Sequence, residues 1–232
     1  MLEQTYLKDF VHLLFPEYCP GCSGHLGKNE KMICTGCLLK LPKANLATMR
    51  DNPVEKLFWG RIEIERAAAF LQFSKGGMTQ RLLHDLKYRG NQDLGEKLGR
   101  LMADELMESG WSDDVDEIVP VPLHPRKMKL RGFNQAKCIA DGMSEIWKKP
   151  VSTGNLIRKI HNPTQTKKSR FARWQNTSNI FGVKKPREFE GKHLVLVDDV
   201  VTTGSTIEAC AMQLNKVEGV KVSVASVAFP MN

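Results

Sequence analysis

Residues 193–206, with the sequence HLVLVDDVVTTGST, constrain the fold more than any other part of the chain. Four apolar residues, 194–197, have the length and composition of a strand that is buried on both faces. Asp198 and Asp199 follow this strand, and a helical pattern begins a few residues later. In open parallel sheets, ligands bind at the carboxyl ends of the strands. The segment therefore predicts an α/β fold with a ligand site beside the two acids.

The turn that joins this strand to the next helix is rich in small and hydroxyl-bearing residues. It contains Thr202, Thr203, Gly204, Ser205 and Thr206. Hydroxyls and free backbone N–H groups at the start of a helix favour a bound phosphate, and glycine lets the backbone approach it closely. The acids before the turn would accept hydrogen bonds from sugar hydroxyls or face a hydrated Mg²⁺. Simple helix capping is the alternative, but it leaves two desolvated carboxylates without a partner.

Apolar strands and amphipathic helices alternate along most of the remaining chain. Strand-like segments occupy residues 61–73, 117–123, 193–197 and 220–229. Helical periodicity occupies residues 78–88, 94–107, 134–147 and 205–217. This alternation predicts a mostly parallel sheet that is flanked by helices. We assign this body to residues 51–232, after a polar linker, and a smaller module to residues 1–50.

Positive charge is concentrated in one segment of the chain. There are 34 Lys and Arg residues against 26 Asp and Glu, and nine of the basic residues lie from Arg158 to Arg187 with no acid among them. A local surplus of this kind favours an anionic partner. Residues 162–186 are also polar and weakly periodic, which is typical of a functional lid or a disordered segment.

A second basic stretch follows the predicted strand at residues 117–123. Its cations are Arg126, Lys127, Lys129 and Arg131, with no acid between them. A basic loop at the carboxyl end of a strand suits a pyrophosphate group, and a solvated loop without a ligand is the alternative. Lys87 and Arg89, at the end of a predicted helix, leave a similar choice between a substrate contact and favourable charge at a helix terminus.

Four of the six cysteines form two CxxC pairs. Cys19 and Cys22 make the first pair, Cys34 and Cys37 make the second, and eleven residues separate the pairs. Two such turns direct four thiolates to one point, which is the tetrahedral set that zinc prefers, with iron as the alternative. A closed site of this type is structural, and the segment has too few apolar residues to fold without metal.

The use of cysteine indicates a reducing compartment, so we expect the protein in the cytoplasm. Cys138 and Cys210 fall in predicted helices and are interpreted as small buried apolar side chains. No apolar run reaches the length of a membrane span, which predicts no membrane insertion. Residues 1–15 lack the basic start and cleavage site of a signal peptide, and their apolar spacing predicts an amphipathic helix instead.

Together, these motifs resemble the ComF family, phosphoribosyltransferase-like proteins associated with bacterial competence for DNA uptake. The acid pair and its VVTTGST turn are similar to the signature of type I phosphoribosyltransferases, which bind phosphoribosyl pyrophosphate (PRPP). The cysteine pairs, IVPVPLH at residues 118–124 and RGFNQ at residues 131–135 occur in the family's order. The resemblance covers nearly the whole chain. It implies a type I phosphoribosyltransferase-like fold with a small N-terminal zinc-binding module.

The resemblance also implies roles for individual residues. Asp198 and Asp199 would hold the ribose hydroxyls, directly or through Mg²⁺. The turn residues named above, from Thr202 to Thr206, would cradle the 5-phosphate, and the basic stretch with Arg126 and Arg131 would meet the pyrophosphate. Type I enzymes also close a loop over the reacting centre, where cations offset the charge of the departing pyrophosphate. The candidate cations for that loop are Lys167, Lys168 and Arg170.

Two functions of different class remain open from the sequence. In the first, the protein is an enzyme that transfers a phosphoribosyl group from PRPP, with Mg²⁺, to an acceptor that the sequence does not identify. In the second, it is a non-catalytic competence protein that binds single-stranded DNA and uses the PRPP site as a sensor or scaffold. Phe171 and Trp174 lie among the cations of the basic segment and suit either base stacking or packing of the lid. A competence helicase or another part of the DNA-uptake machinery is the expected protein partner.

Overall fold

The strands predicted from the sequence lie at the centre of a computed structural model that describes residues 17–159 and 180–231. The strands in these residues are β1 (Ala67–Phe73), β2 (Glu117–Pro120), β3 (Leu156–Arg158), β4 (Phe181–Val183), β5 (His193–Val200) and β6 (Lys221–Pro230). Four of them form a sheet in the order β1-β6-β5-β2, and all its pairings are parallel. β3 and β4 form a separate antiparallel ribbon. The predicted α/β class with a mostly parallel sheet is confirmed.

Helices surround the sheet and include every long helix that the periodicity predicts between residues 78 and 217. The helices in the described residues are α1 (Thr35–Leu39), α2 (Pro53–Lys56), α3 (Met78–Tyr88), α4 (Gln92–Glu108), α5 (Trp111–Asp114), α6 (Pro125–Arg131), α7 (Gln135–Trp147) and α8 (Ser205–Leu214). Asn91 and Asn134 cap α4 and α7, because their side-chain oxygens accept from backbone N–H groups in the first turn.

Strand register places the end of β2 beside the acids of β5. β5 is a central strand whose apolar residues 194–197 are fully buried. Pro120 of β2 is paired with Val197, and the next N–H, that of Val121, donates to the Val197 carbonyl at 2.9 Å. The residues that follow β2 therefore lie alongside Asp198 and Asp199. This is the edge of a parallel sheet at which a ligand site is expected.

Two glycines allow α4 and α7 to cross at backbone contact distance. A Cβ atom added to Gly99 would lie 2.1 Å from the carbonyl oxygen of Ile139, and one added to Gly142 would lie 2.1 Å from that of Glu96. Real Cβ atoms do not approach so closely, so each glycine is required by the opposite helix. The crossing fixes α7, whose N-terminal end carries residues of the candidate site.

The cysteine-rich segment is joined to the sheet through its edge. Lys43 forms an antiparallel bridge with Leu71 of β1, and the Ala44 N–H donates to the Phe70 carbonyl at 2.8 Å. Cys19 and Ile33 are buried in the same apolar core as the sheet. This contact covers the free edge of β1, which protects it from pairing with other chains. The division of the chain at residue 50 stays a prediction.

Two local predictions were wrong. The extended segment predicted at residues 61–73 is a strand only from Ala67, because a turn occupies residues 57–61 and residues 62–66 lie outside the paired strands. The basic stretch predicted as a loop contains the helix α6, which begins after His124, whose Nδ1 accepts from the Arg126 N–H at 3.1 Å. The side chains of α6 are not buried, so its sequence carries no apolar periodicity that would have revealed the helix.

Several predictions fall outside the described residues. These are the amphipathic helix at residues 1–15 and the basic lid with Lys167, Lys168, Arg170, Phe171 and Trp174. Among residues 17–159 and 180–231, every helix is too short or too polar to cross a membrane.

Candidate functional site

The carboxyl ends of β2 and β5 border a cavity of about 140 Å³. Six of its lining side chains carry charge: Lys87, Lys127, Arg131, Arg158, Asp198 and Asp199. All four cations come from outside β5 and its turn: Lys87 from α3, Lys127 and Arg131 from α6, and Arg158 from β3. The fold thus brings two acids and four cations from four separate elements to one crevice.

The two acids of β5 differ in their surroundings. Asp199 forms an ion pair with Lys87, whose Nζ lies 2.8 Å from Oδ2. Asp198 accepts the Asp199 N–H at 2.8 Å and has no ion pair within the described part of the chain. Burial raises the pKa of Asp198 to about 7, and the charge of Asp199 acts in the same direction. A half-buried carboxylate with so little compensation favours an added cation or a hydroxyl donor.

Two hydrogen-bond donors in the lining of the cavity lack acceptors. Within the described residues, the Arg131 Nε and Gln135 Nε2 atoms are buried without a hydrogen-bond partner. Arg131 Nη1 donates to Gln135 Oε1 at 2.7 Å, so the two side chains form one unit. The Arg131 guanidinium also lies 5.5 Å from the ring centroid of Tyr88. Unsatisfied buried donors beside cations fit an anionic group of a ligand, since leaving them unpaired is unfavourable.

The turn before α8 presents backbone donors beside the cavity. Gly204 has a φ of 75°, in the left-handed region that favours glycine, and no side chain caps the helix. The N–H of Glu208 donates to the Gly204 carbonyl at 2.8 Å, while those of residues 202–207 have no acceptor among the described residues. Such a row of free N–H groups at the positive end of a helix suits a phosphate. Thr206 lines the cavity itself.

The structure brings together most, but not all, of the residues predicted from the sequence. Asp198, Asp199, Thr206 and Arg131 line the cavity, whereas the exposed Arg126 does not. The basic lid residues 167–170 lie outside the described part of the chain. Thr202, Thr203 and Ser205 belong to the turn beside the cavity, and the hydroxyls of Thr203 and Ser205 lie 3.0 Å apart.

Sequence reasoning missed three contributions to the site. Arg158 and Gln135 line the cavity but were not assigned a role, and Lys87 was left between two interpretations. Lys87 lines the cavity and forms an ion pair with Asp199, which places its side chain at the candidate site. The only available signal for Gln135 was its place in the RGFNQ motif at the start of a helix.

The four cysteines of the CxxC pairs converge on one point, as their spacing predicts. Their Sγ atoms all lie within 4.8 Å of one another, and those of Cys22 and Cys34 are 3.7 Å apart. Backbone N–H groups point at the sulfurs: Cys34 N–H donates to Cys19 Sγ at 3.3 Å, and Cys37 N–H to Cys34 Sγ at 3.4 Å. Four sulfur ligands stabilised by N–H donors fit a structural zinc ion. Cys138 and Cys210 are buried in helices, as expected.

We expect Asp198→Asn to stabilise the protein by an amount that grows with pH. Because the pKa of Asp198 lies above its ordinary value of 3.8, the folded state holds the proton more tightly, and the wild type loses stability as pH rises from about 4 to about 7. Asparagine carries no charge and still accepts the Asp199 N–H. The gain should reach at least about 1 kcal/mol at pH 8 and be small at pH 4. Denaturant unfolding without added Mg²⁺ or PRPP measures it, and a loss of stability at both pH values would contradict the prediction.

The fold and the crevice define a protein with a phosphoribosyltransferase domain. Residues 131–231 match the family model described as "Phosphoribosyl transferase domain". This match begins at Arg131 and includes β5, the turn and α8.

Comparison along the whole chain gives the family. The chain is 33% identical over 94% of its length to Competence protein F of Haemophilus influenzae, of which it covers 93%. It is 29% identical over 93% of its length to Competence protein ComFC of Bacillus subtilis, of which it covers 85%. The chain therefore belongs to the ComF family of competence proteins, and the resemblance seen in the sequence is confirmed.

Other similarities are partial. DNA utilization protein YhgH of Escherichia coli K12 is 33% identical over 57% of this chain, and the match spans 59% of the length of YhgH. Among solved structures, the glutamine PRPP amidotransferase of B. subtilis matches 61% of this chain and 30% of its own, at 20% identity and a TM-score of 0.42.

Proposed function

We propose that this protein binds PRPP together with Mg²⁺ in the crevice between β2 and β5, as a phosphoribosyltransferase-like protein of DNA uptake. Asp198 and Asp199 would hold the ribose hydroxyls, directly or through Mg²⁺. The turn with Thr202, Thr203, Gly204, Ser205 and Thr206 would hold the 5-phosphate. Arg131, with Lys127 and Arg158, would face the pyrophosphate. Mg²⁺ would supply positive charge to the pyrophosphate oxygens.

One observation carries this proposal. The cavity joins an undercompensated acid, Asp198, to two buried donors without acceptors, on Arg131 and Gln135. A ligand that satisfies all of these groups needs a hydroxyl or cationic group for Asp198 and an anionic group for Arg131 and Gln135. PRPP with Mg²⁺ has both kinds of group, and its 5-phosphate suits the free N–H groups of the turn before α8.

The reaction that such a site serves is transfer of the phosphoribosyl group. A nucleophile on the acceptor forms a bond to C1 of the ribose, the bond from C1 to the pyrophosphate oxygen breaks, and pyrophosphate leaves with the electron pair. The acceptor loses its proton to solvent or to a base. Positive charge fixed beside the leaving group stabilises the transition state. Among the described residues, Lys127, Arg131 and Arg158 line the cavity and would supply it.

Calorimetric titration tests the binding proposal. The wild type should bind PRPP more tightly with Mg²⁺ than without it, and Arg131→Ala should weaken binding of PRPP at least about tenfold, since it removes charge-assisted hydrogen bonds. Lys137→Ala is the matched control, because Lys137 is an exposed cation on α7 that pairs with Asp141 and does not line the cavity. No PRPP binding by the wild type, or equal losses in both variants, would overturn the proposal. Pyrophosphate release in an acceptor screen then separates an enzyme from a sensor.

A second candidate function is binding of single-stranded DNA, and a second cavity favours it. This cavity, of about 710 Å³, lies between the cysteine module and α3, and its lining includes Tyr18, Arg81, His84 and Arg89. Tyr18 is 53% exposed and Tyr88, which contacts His84 at a centroid distance of 4.8 Å, is 61% exposed. An exposed aromatic ring in a cavity that is also lined by arginines suits stacked unpaired bases and their phosphates. The competence and DNA-utilization names of the relatives agree with this function.

Anisotropy of a labelled oligonucleotide tests this surface. Tyr18→Ala should weaken binding of an unpaired strand at least about fivefold, because a stacked base contributes about 1–3 kcal/mol, whereas Tyr18→Phe should retain it. The zinc content of both variants confirms that the adjacent cysteine site is intact. Binding should also weaken with added salt. Equal affinity of the two variants, or a preference for duplex, would remove this candidate.

We place the protein in the cytoplasm, where its buried thiols stay reduced, and propose a DNA-uptake helicase or another part of that machinery as its partner. We further propose a division into a cysteine module, residues 1–50, and a phosphoribosyltransferase-like body, residues 51–232.

A further inference from the structure

A segment that precedes the phosphoribosyltransferase match is firmly attached to the edge of the sheet. Asn52 donates from Nδ2 to the Ala67 carbonyl at 2.7 Å, and its Oδ1 accepts the Val54 N–H at 2.9 Å, which caps α2. Glu55 accepts the Ala67 N–H on Oε1 at 3.3 Å. Asn52 and Glu55 are both buried. α2 and the residues just after it are therefore fixed relative to β1.

This segment reaches across the sheet and packs on the phosphate turn. Phe58 is fully buried, and a Cβ atom on Gly204 would lie 2.8 Å from its ring atom Cε1. The ring therefore lies directly against the backbone of the turn. Gly204 is needed twice, for its positive φ and for this contact.

Arg61 contacts both the turn and the helix that follows it. Its Nη1 donates to the Thr203 carbonyl at 3.3 Å and to the Leu57 carbonyl at 2.9 Å. Its Nη2 donates to the carboxylate of Glu208, in the first turn of α8. One guanidinium thus joins the fixed segment after α2, the phosphate turn and the helix that follows it.

We infer that Arg61 is a positioning residue for the 5-phosphate site, an inference that rests on the proposed function. The described residues contain no cis peptide bond, so the Gly204 N–H points opposite to the Thr203 carbonyl that Arg61 holds. When that carbonyl is held in place, the direction of the Gly204 N–H, which would donate to the phosphate, is fixed as well. Arg61 also pairs with Glu208, the acid nearest the positive end of α8, whose charge would otherwise repel a phosphate. The site for a phosphate monoester therefore includes a residue far outside residues 131–231.

Calorimetry with two separate probes tests this inference. Arg61→Ala should weaken binding of ribose 5-phosphate at least about tenfold, with little change for pyrophosphate, whose proposed partner is Arg131. Adding Glu208→Gln to Arg61→Ala should recover part of the lost affinity, because it removes the unpaired acid. Arg61→Lys should fall between the wild type and Arg61→Ala, since lysine keeps the charge but lacks the guanidinium geometry.

The outcomes separate this inference from the proposed function. Unchanged affinity for ribose 5-phosphate in Arg61→Ala, or equal losses for both probes, would overturn the positioning role and leave the PRPP site standing. If the wild type binds neither ribose 5-phosphate nor pyrophosphate, the proposed function is overturned instead. Amide NMR of the ligand-free protein gives a further test. The Gly204 amide resonance should move in Arg61→Lys while that of Ala67 stays, and an unmoved Gly204 resonance would contradict the inference.

Discussion

Cys22→Ser should release the zinc ion and unfold the cysteine module. Cys22 is the exposed member of the four-cysteine cluster, so the change removes a thiol without leaving a cavity in the core. Structural zinc contributes about 10–16 kcal/mol to folding of small modules, and three ligands hold it far less tightly than four. Because Cys19 and Ile33 belong to the common core, loss of the module also exposes apolar surface of the body. We expect a loss of at least about 3 kcal/mol, or a melting temperature lower by about 6–12 °C.

Metal analysis and thermal unfolding measure this effect. The wild type should carry one zinc ion, and Cys22→Ser should carry little. Cys138→Ala is the control, since Cys138 lies on α7, outside the cysteine cluster, and its Sγ lies 3.9 Å from Gln92 Oε1. It should keep the metal. Equal zinc in Cys22→Ser and wild type, or iron in place of zinc, would contradict the assignment.

Gly142→Ala should destabilise the protein although alanine is the better helix former. Helix propensity alone predicts a gain of about 1 kcal/mol. The added Cβ would instead lie 2.1 Å from the Glu96 carbonyl oxygen, which is backbone and cannot rotate away. Separation of α4 from α7 is the only relief, and overpacking of this kind costs about 3 kcal/mol or more. The net effect should be a fall of about 4–8 °C in melting temperature.

Gly36→Ala gives the matched comparison for this prediction. Gly36 lies within a helix, α1, and a Cβ atom there would meet nothing within 4 Å. Thermal unfolding of the two variants should therefore give opposite or clearly unequal shifts. A stable Gly142→Ala protein would show that the two helices are not in contact at this point.

Much of the fold follows from local sequence patterns. The run at residues 194–197 is entirely apolar because β5 is paired on both sides, and this pattern alone indicates a central parallel strand. The phosphate turn is equally local, since its hydroxyls and Gly204 are contiguous. The CxxC pairs encode their convergence in their spacing. Each of these features depends on residues that are neighbours in the chain.

The remaining parts of the site depend on contacts between distant segments. Lys87 meets Asp199 only because α3 ends beside β5, and nothing in the sequence around Lys87 distinguishes this from a solvated helix end. The role of Arg61 depends on packing between a segment after α2 and the turn after β5. The helix α6 was not predicted, because a helix without buried residues has no apolar stripe in its sequence. Local patterns could not predict these features, since tertiary contacts alone define them.

The strand order has a consequence for synthesis of the chain. β1 is made early, but its partner in the sheet is β6, which is made after the other strands of the described residues. Residues 42–44 are able to shield one side of β1 at once, while the other side stays open until β6 has been made. Pairings between such distant segments form slowly, and until they form, apolar surface and an unpaired strand edge stay exposed. Premature termination just before β6 would thus leave nascent chains that depend on chaperones and proteases.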